Sequence, residues 1–203
     1  MPAVTAYVAM LRGINVGSTN RIAMSALRDA VAGLGYGDVR TYVQSGNLVF
    51  TATAKARSGD AKARSGDGTG EVADRVAGAI TDAFGLDVPV VVRTGSQLAA
   101  VLVHGPFVKE GLHPEEAPTS FHVTFLGEPP AEAKWAAAVD EAERFAPDVC
   151  RLVGADVHLH VPGGRYSDSK LTNAWFEKRL GVVATTRNWK TAGVLAEMAA
   201  DIG

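Results

Sequence analysis

Val39-Arg-Thr-Tyr-Val43-Gln44-Ser45-Gly46-Asn47-Leu48-Val-Phe-Thr51 reads as two short strands folded about a turn. Val39–Val43 and Leu48–Thr51 are rich in β-branched and aromatic residues, and Gln44–Asn47 between them is turn-forming, which is the pattern of a hairpin. Upstream, Met24, Leu27, Val31 and Leu34 recur at helical spacing, with Gly35 placed to end the helix. Before them, Ala3–Leu11 is β-rich and apolar on both faces, and stops at the polar turn Arg12–Gly17. Downstream, Val72, Val76, Ile80 and Phe84 mark a second helix closed by Gly85, and Val88–Arg93 reads as a strand. The order around the hairpin is therefore β-α-β-β-α-β, the ferredoxin-like pattern. Ser96–Val103 adds a short helix, N-capped by Thr94 or Gly95.

The same order recurs further along. Phe121–Leu126 alternates as a strand, Glu132–Phe145 is helical, and Val149–Val153 with Val157–Val161 makes a hairpin about Gly154-Ala155-Asp156. Leu171–Leu180 is helical, Val182–Thr186 is a strand, and Thr191–Ala200 is a closing helix. The expectation is an α/β (α+β) fold of two tandem ferredoxin-like halves, with an extra short helix and a C-terminal helix. Residues 1–103 form the first half, 104–119 a linker rich in Pro, Gly and Glu, and 120–203 the second half. Residues 54–60 and 61–67 both read AKARSGD, a duplication expected in a flexible inserted loop over 54–68, its cations solvated.

Composition narrows the class. The 203 residues suit one domain or two small ones, and 47% hydrophobic with 21% charged residues is ordinary for a globular chain. A net charge of −2 excludes a strongly basic nucleic-acid coat. The apolar runs fall short of the roughly 18 residues a membrane helix needs. MPAVTAYVAMLRGIN has no basic residue before its apolar run and Arg12 after it, the wrong polarity for a signal peptide. Cys150 is the single cysteine, so no intrachain disulfide forms. The expectation is a soluble cytoplasmic protein with no membrane partner.

Topology says where a site belongs. In a β-α-β-β-α-β unit the first and second strands run parallel, as do the third and fourth, so the ends of each pair share a sheet edge. Those ends carry Arg12–Gly17 and Gln44–Asn47 in the first half, and Gly163–Lys170 and Thr185–Trp189 in the second. Functional groups concentrate on loops held by a rigid sheet. Lys170 and Arg187 stand beside helix entrances, where a cation opposes the dipole unless an anion lies between. The candidate ligand-binding set is Arg12, Asn15, Gln44, Ser45, Asn47, Tyr166, Ser169, Lys170, Thr186, Arg187, Asn188 and Trp189. The competing reading makes Ser167, Ser169 and Asn188 plain N-caps, the glycines plain turns, and Arg187 the partner of a nearby carboxylate.

Other motifs carry less. Ser167-x-x-Lys170 has the spacing of serine acyl enzymes but lacks their companion motifs. Tyr166-x-x-x-Lys170 would need a dinucleotide fold, and Arg12-Gly-Ile-Asn-Val-Gly17 lacks G-x-G-x-x-G spacing. No Walker A sequence is present. His122 lies between Phe121 and Val123, and His158 and His160 alternate with Val157, Leu159 and Val161. If their strands pair, the three imidazoles share one sheet face; against a zinc site, they line a wet or inter-half face, and no metal is expected. Trp135 and Trp175 read as packing residues, whereas Trp189 reads as a site wall.

Leu11-Arg-Gly-Ile-Asn-Val-Gly17, Thr41-Tyr-Val-Gln-Ser-Gly-Asn-Leu-Val-Phe50, Ser169-Lys170-Leu171 and Thr185-Thr-Arg-Asn-Trp189-x-Thr191 occur in that order. Together they resemble the domain-of-unknown-function 1697 family, from Tyr7 to Leu195. The resemblance implies a bacterial cytosolic α/β protein with two ferredoxin-like halves, and it supplies no reaction, ligand or catalytic residue. Ser18 and Lys190 depart from the residues common there, glycine and asparagine. The leading expectation is binding of an anionic small molecule, phosphorylated or nucleotide-like, at the strand exits. The alternative is a nucleic-acid or protein interaction module without catalysis, with nucleic acid disfavoured by the acidic balance. A third is a homo-oligomer that covers sheet faces. The sequence names no cofactor and decides neither for nor against an enzyme.

Overall fold

A computed structural model describes residues 4–17, 20–53, 68–103, 105–163 and 165–203; the duplicated heptads at 54–67 lie outside the described residues. The chain is mixed α/β, with two four-stranded antiparallel sheets and, among the described residues, six α-helices. It divides into two compact units. One takes the residues up to Ala99 together with Val194–Gly203, and the other is Ala100–Gly193.

The first unit runs β1 (Val4–Leu11), α1 (Met24–Ala32), β2 (Gly37–Tyr42), β3 (Asn47–Thr53), α2 (Thr69–Phe84), β4 (Val90–Thr94) and the start of α3 (Gly95–Val103). Its strand order is β2-β3-β1-β4, every neighbour antiparallel. Alternation along β1 puts Tyr7, Ala9 and Leu11 on one face, and register sets Phe50 opposite Tyr7 and both Leu48 and Val92 opposite Ala9. Leu27 and Val31 of α1, and Val72, Val76 and Ile80 of α2, recur at helical spacing and join that face in one core. Each such fully buried aliphatic or aromatic side chain contributes about 1.5–3 kcal/mol. Val8, Met10, Val49 and Val91 on the opposite face are buried as well, matching the two-sided apolar sequence. The first helix stops at Ala32, with the Gly33 N–H bonded to the Asp29 carbonyl, rather than running to Gly35.

The second unit holds β5 (Phe121–Leu126), α4 (Glu132–Ala142), β6 (Val149–Val153), β7 (Asp156–His160), α5 (Asn173–Leu180), β8 (Ala184–Asn188) and the start of α6 (Trp189–Ala200). Its order, β6-β7-β5-β8, repeats that of the first unit. Leu126, Cys150, Val157, Leu159 and Ala184 from the sheet meet Ala138 and Ala142 of α4 and Trp175, Phe176 and Leu180 of α5. Lys134 Nζ donates to the Leu180 carbonyl at 3.1 Å, and the Glu141 carboxylate pairs with Arg179, tying α4 to α5.

Two boundaries differ from the sequence reading and move candidate residues. Thr172 Oγ1 accepts the Trp175 N–H at 3.2 Å and caps α5, so the helix starts at Asn173 rather than Leu171 and Lys170 stands two residues before the cap. The last strand runs past Thr186 to Asn188, because Thr185, Thr186 and Arg187 pair with Phe125, Thr124 and Val123. Asn188 Oδ1 then accepts the Thr191 N–H at 2.8 Å, the plain capping role. In the first unit, α6 reaches α3 closely: a Cβ added to Gly95 would lie 3.2 Å from the Ala199 Cβ.

Candidate functional site

At the edge of the first unit the two polar exits meet through Asn15. Its Nδ2 donates to the Gln44 carbonyl at 2.9 Å and to the Ile22 carbonyl at 3.0 Å, and its Oδ1 accepts the Ile22 N–H at 2.9 Å. All three bonds go to backbone, so this side chain works as a clip between turns. Its φ of 53° suits asparagine, which tolerates the left-handed region. Asn47 is fully buried, its Nδ2 donating to the Tyr42 carbonyl at 3.1 Å and to Ser45 Oγ at 3.0 Å. The Leu11 N–H reaches the Gly46 carbonyl at 2.8 Å. At Gly46 (φ 75°) a Cβ would sit 2.7 Å from Leu11 and Ile14 atoms, so glycine is obligatory. Gln44 and Ser45 are exposed, and Arg12 is half-buried. Val43, 52% exposed, holds φ 49°, a strained conformation for a β-branched residue.

The edge of the second unit gathers more. The Asn173 side-chain oxygen can only accept, so Thr186 Oγ1 donates its single proton there at 2.6 Å. Tyr166 Oη and Thr124 Oγ1 must then be the donors to Thr186 Oγ1, at 3.0 and 2.7 Å. The Tyr166 ring stacks on His122, centroids 4.9 Å apart. Asn188 stands opposite His122 in the register, on the same face. Two of the strand exits expected from topology, Gly163–Lys170 and Thr185–Trp189, are thus bonded together. Ser169 is buried, with its Oγ accepting the Leu171 N–H at 3.1 Å; Lys170 is exposed.

Arg187 leaves this group. Because β8 extends to Asn188, strand alternation sends Arg187 to the opposite face from Thr186 and Asn188. Its Nη1 donates to Thr185 Oγ1 at 2.9 Å and to the Thr186 carbonyl at 2.8 Å, and desolvation lowers its guanidinium to about 10. Trp189 is buried, its ring 6.3 Å from that of His158.

The three imidazoles do not share a face. β5 and β7 pair as expected, but register sets His122 against Leu159, and His158 and His160 against Val123 and Phe121. Alternation fixes faces within a strand; it does not fix register between strands, and β5 is buried along its whole length, His122 and Thr124 included, so its polar face is not a solvent face. Among the described residues no three His, Cys, Asp or Glu side chains are grouped to hold a metal. Burial holds the imidazoles of His122 and His158 down to about 4.

Sequence reasoning missed His122, Thr124 and Asn173 as members of the second-unit group. It also gave no sign of an open groove of about 370 Å³ on the first unit, lined by Ala6, Thr94, Gly95, Ser96, Ala196 and Ala199 among others. No charged side chain lines it, and Thr94 is committed to the α3 cap, exchanging bonds with Gln97.

The architecture defines a mixed α/β protein with two four-stranded antiparallel sheets. A family model described as a protein of unknown function, DUF1697, matches residues 4–158. The chain belongs to that family. Among solved structures, a conserved bacterial protein from Streptococcus pneumoniae is similar in fold, with a TM-score of 0.66 and 22% identity over 97% of this chain and 99% of that one. No curated protein matches the chain. Among the described residues no helix is long and apolar enough to cross a membrane.

Proposed function

We propose that the chain is a soluble cytosolic protein that binds an anionic small molecule, phosphorylated or nucleotide-like, at the edge of its second unit. The observation that carries this reading is the Tyr166–Thr186–Asn173 hydrogen-bonded chain. It brings the connection after β7 onto the end of β8 while leaving the amide N–H groups of Asn173 and Asn188 without protein partners among the described residues. Those donors, with exposed Lys170 in the same connection, suit oxyanion atoms. Each unit is read as a ferredoxin-like plait, supported by the repeated strand order. Of the twelve residues proposed from sequence, Tyr166, Lys170, Thr186 and Asn188 carry the site; Asn15 and Asn47 brace the first-unit turns instead.

Thermal shift with inorganic phosphate and adenosine monophosphate tests it. The wild type should be stabilised by at least one of them, and Asn188→Ala or Lys170→Ala should reduce the shift. An equal shift in wild type and both variants would count against the site.

A further inference from the structure

His122 is the member of this edge that the hydrogen bonding leaves unexplained. It is 7% exposed, Nδ1 is enclosed, and among the described residues neither ring nitrogen has a hydrogen-bond partner. Buried polar groups are ordinarily paired, so a partnerless imidazole beside a donor-rich edge asks for an occupant. The groups against it are neutral. The connection after β7 contributes the Tyr166 ring, β8 contributes Asn188, β7 contributes Leu159, and β5 itself contributes Thr124, the next residue on that face. None is a carboxylate that would hold the ring protonated, and desolvation is the cause of its low pKa.

We propose, resting on the anion-site reading above, that the guest enters this site together with one proton, which His122 takes from solvent to become an imidazolium. No bond in the guest is made or broken; the proton goes to the free ring nitrogen, and the positive charge gains the negative partner the protein does not supply. A neutral imidazole donates one hydrogen bond, whereas the imidazolium donates two. Linkage is reciprocal, so if the anion favours the protonated ring, acid favours the anion. His122 thereby becomes a binding residue that makes affinity depend on pH.

Sulfate is the probe, because it does not itself titrate between pH 5 and 8. Calorimetry of the full chain at pH 6.5, in two buffers of different ionisation heat, should report a fraction of a proton taken up per sulfate bound. The dissociation constant should be at least about threefold lower at pH 5.5 than at pH 7.5. His122→Phe should abolish both effects, whereas His158→Phe, which removes the buried imidazole of the opposite face, should retain them. If His122→Phe fails to fold, the ¹³C imidazole resonances of the wild type decide, since only His122 should move toward its protonated position on adding sulfate. Sulfate bound without proton uptake, and with an unmoved His122 resonance, would overturn this inference and leave the anion site standing. Absence of sulfate binding at every pH would overturn both.

Discussion

Replacing Asn15 by alanine separates a structural clip from a ligand-binding group. The substitution removes three hydrogen bonds of 2.9–3.0 Å, two to Ile22 and one to the Gln44 carbonyl. The Ile22 pair is partly buried and contributes about 1 kcal/mol per bond, and the more exposed Gln44 bond about 0.5 kcal/mol. Alanine must also hold the φ of 53° that asparagine tolerates, a cost of about 1 kcal/mol. The sum is a loss of about 3.5 kcal/mol. Urea unfolding followed by circular dichroism should show it as a lower midpoint with unchanged slope. Asn15→Asp should also be destabilised, because it keeps only the acceptor toward the Ile22 N–H and turns an oxygen on two carbonyls. The thermal shift given by phosphate or adenosine monophosphate should survive in Asn15→Ala at a temperature where that variant is folded. A loss below about 1 kcal/mol would refute the clip, and a normal fold with an abolished shift would return Asn15 to the ligand site.

Stability should fall with acid. His122 and His158 are held down to about 4 by burial, below the ordinary 6.5, so the unfolded chain protonates first on acidification. The stabilisation is complete above about pH 6.5 and is lost toward about pH 4, with each ring forfeiting about 2 kcal/mol by pH 5; equal unfolding free energies at pH 7.5 and pH 5 would refute this. Val43→Asn should stabilise by about 1 kcal/mol, since asparagine accepts the left-handed backbone that strains valine; an unchanged urea midpoint would show that no strain is stored there. Gly46→Ala should destabilise strongly, because its Cβ meets Leu11 and Ile14 at 2.7 Å with φ at 75°, and a wild-type melting temperature would contradict that packing. Cys150, buried and with its thiol pushed up to about 11, should resist Ellman's reagent in the folded protein and react on unfolding; rapid native labelling would contradict its burial.

The arrangement of strands and helices was legible because each amphipathic segment writes its own period into the chain. Phe121–Leu126 and Val149–Val153 were readable to the residue, being bounded by turn-forming neighbours. The exit Gly163–Lys170 was legible too, being polar against an apolar background, whereas Thr185–Trp189, read as an exit, is the last strand itself with the first residue of the helix after it. What local patterns do not encode is register. His122 faces Asn188 and Leu159 only because β5, β7 and β8 pair at one particular offset, and that offset split the imidazoles between faces. The end of β8 was hidden for a related reason: Arg187 and Asn188 look like loop residues until their pairing with Val123 and His122 is known. Asn173 joined the site through contacts distant in sequence, and no spacing rule marks such a residue.

Val194–Gly203 belongs with the first unit, although the whole of the second lies between. That unit is therefore interrupted in sequence, with the second inserted into it. A ribosome delivers its closing helix segment only after the inserted one has been made, so β1 and α3 wait for Ala199 while their neighbour already has all its own residues. Cutting the gene at residue 103 would yield a fragment lacking that segment.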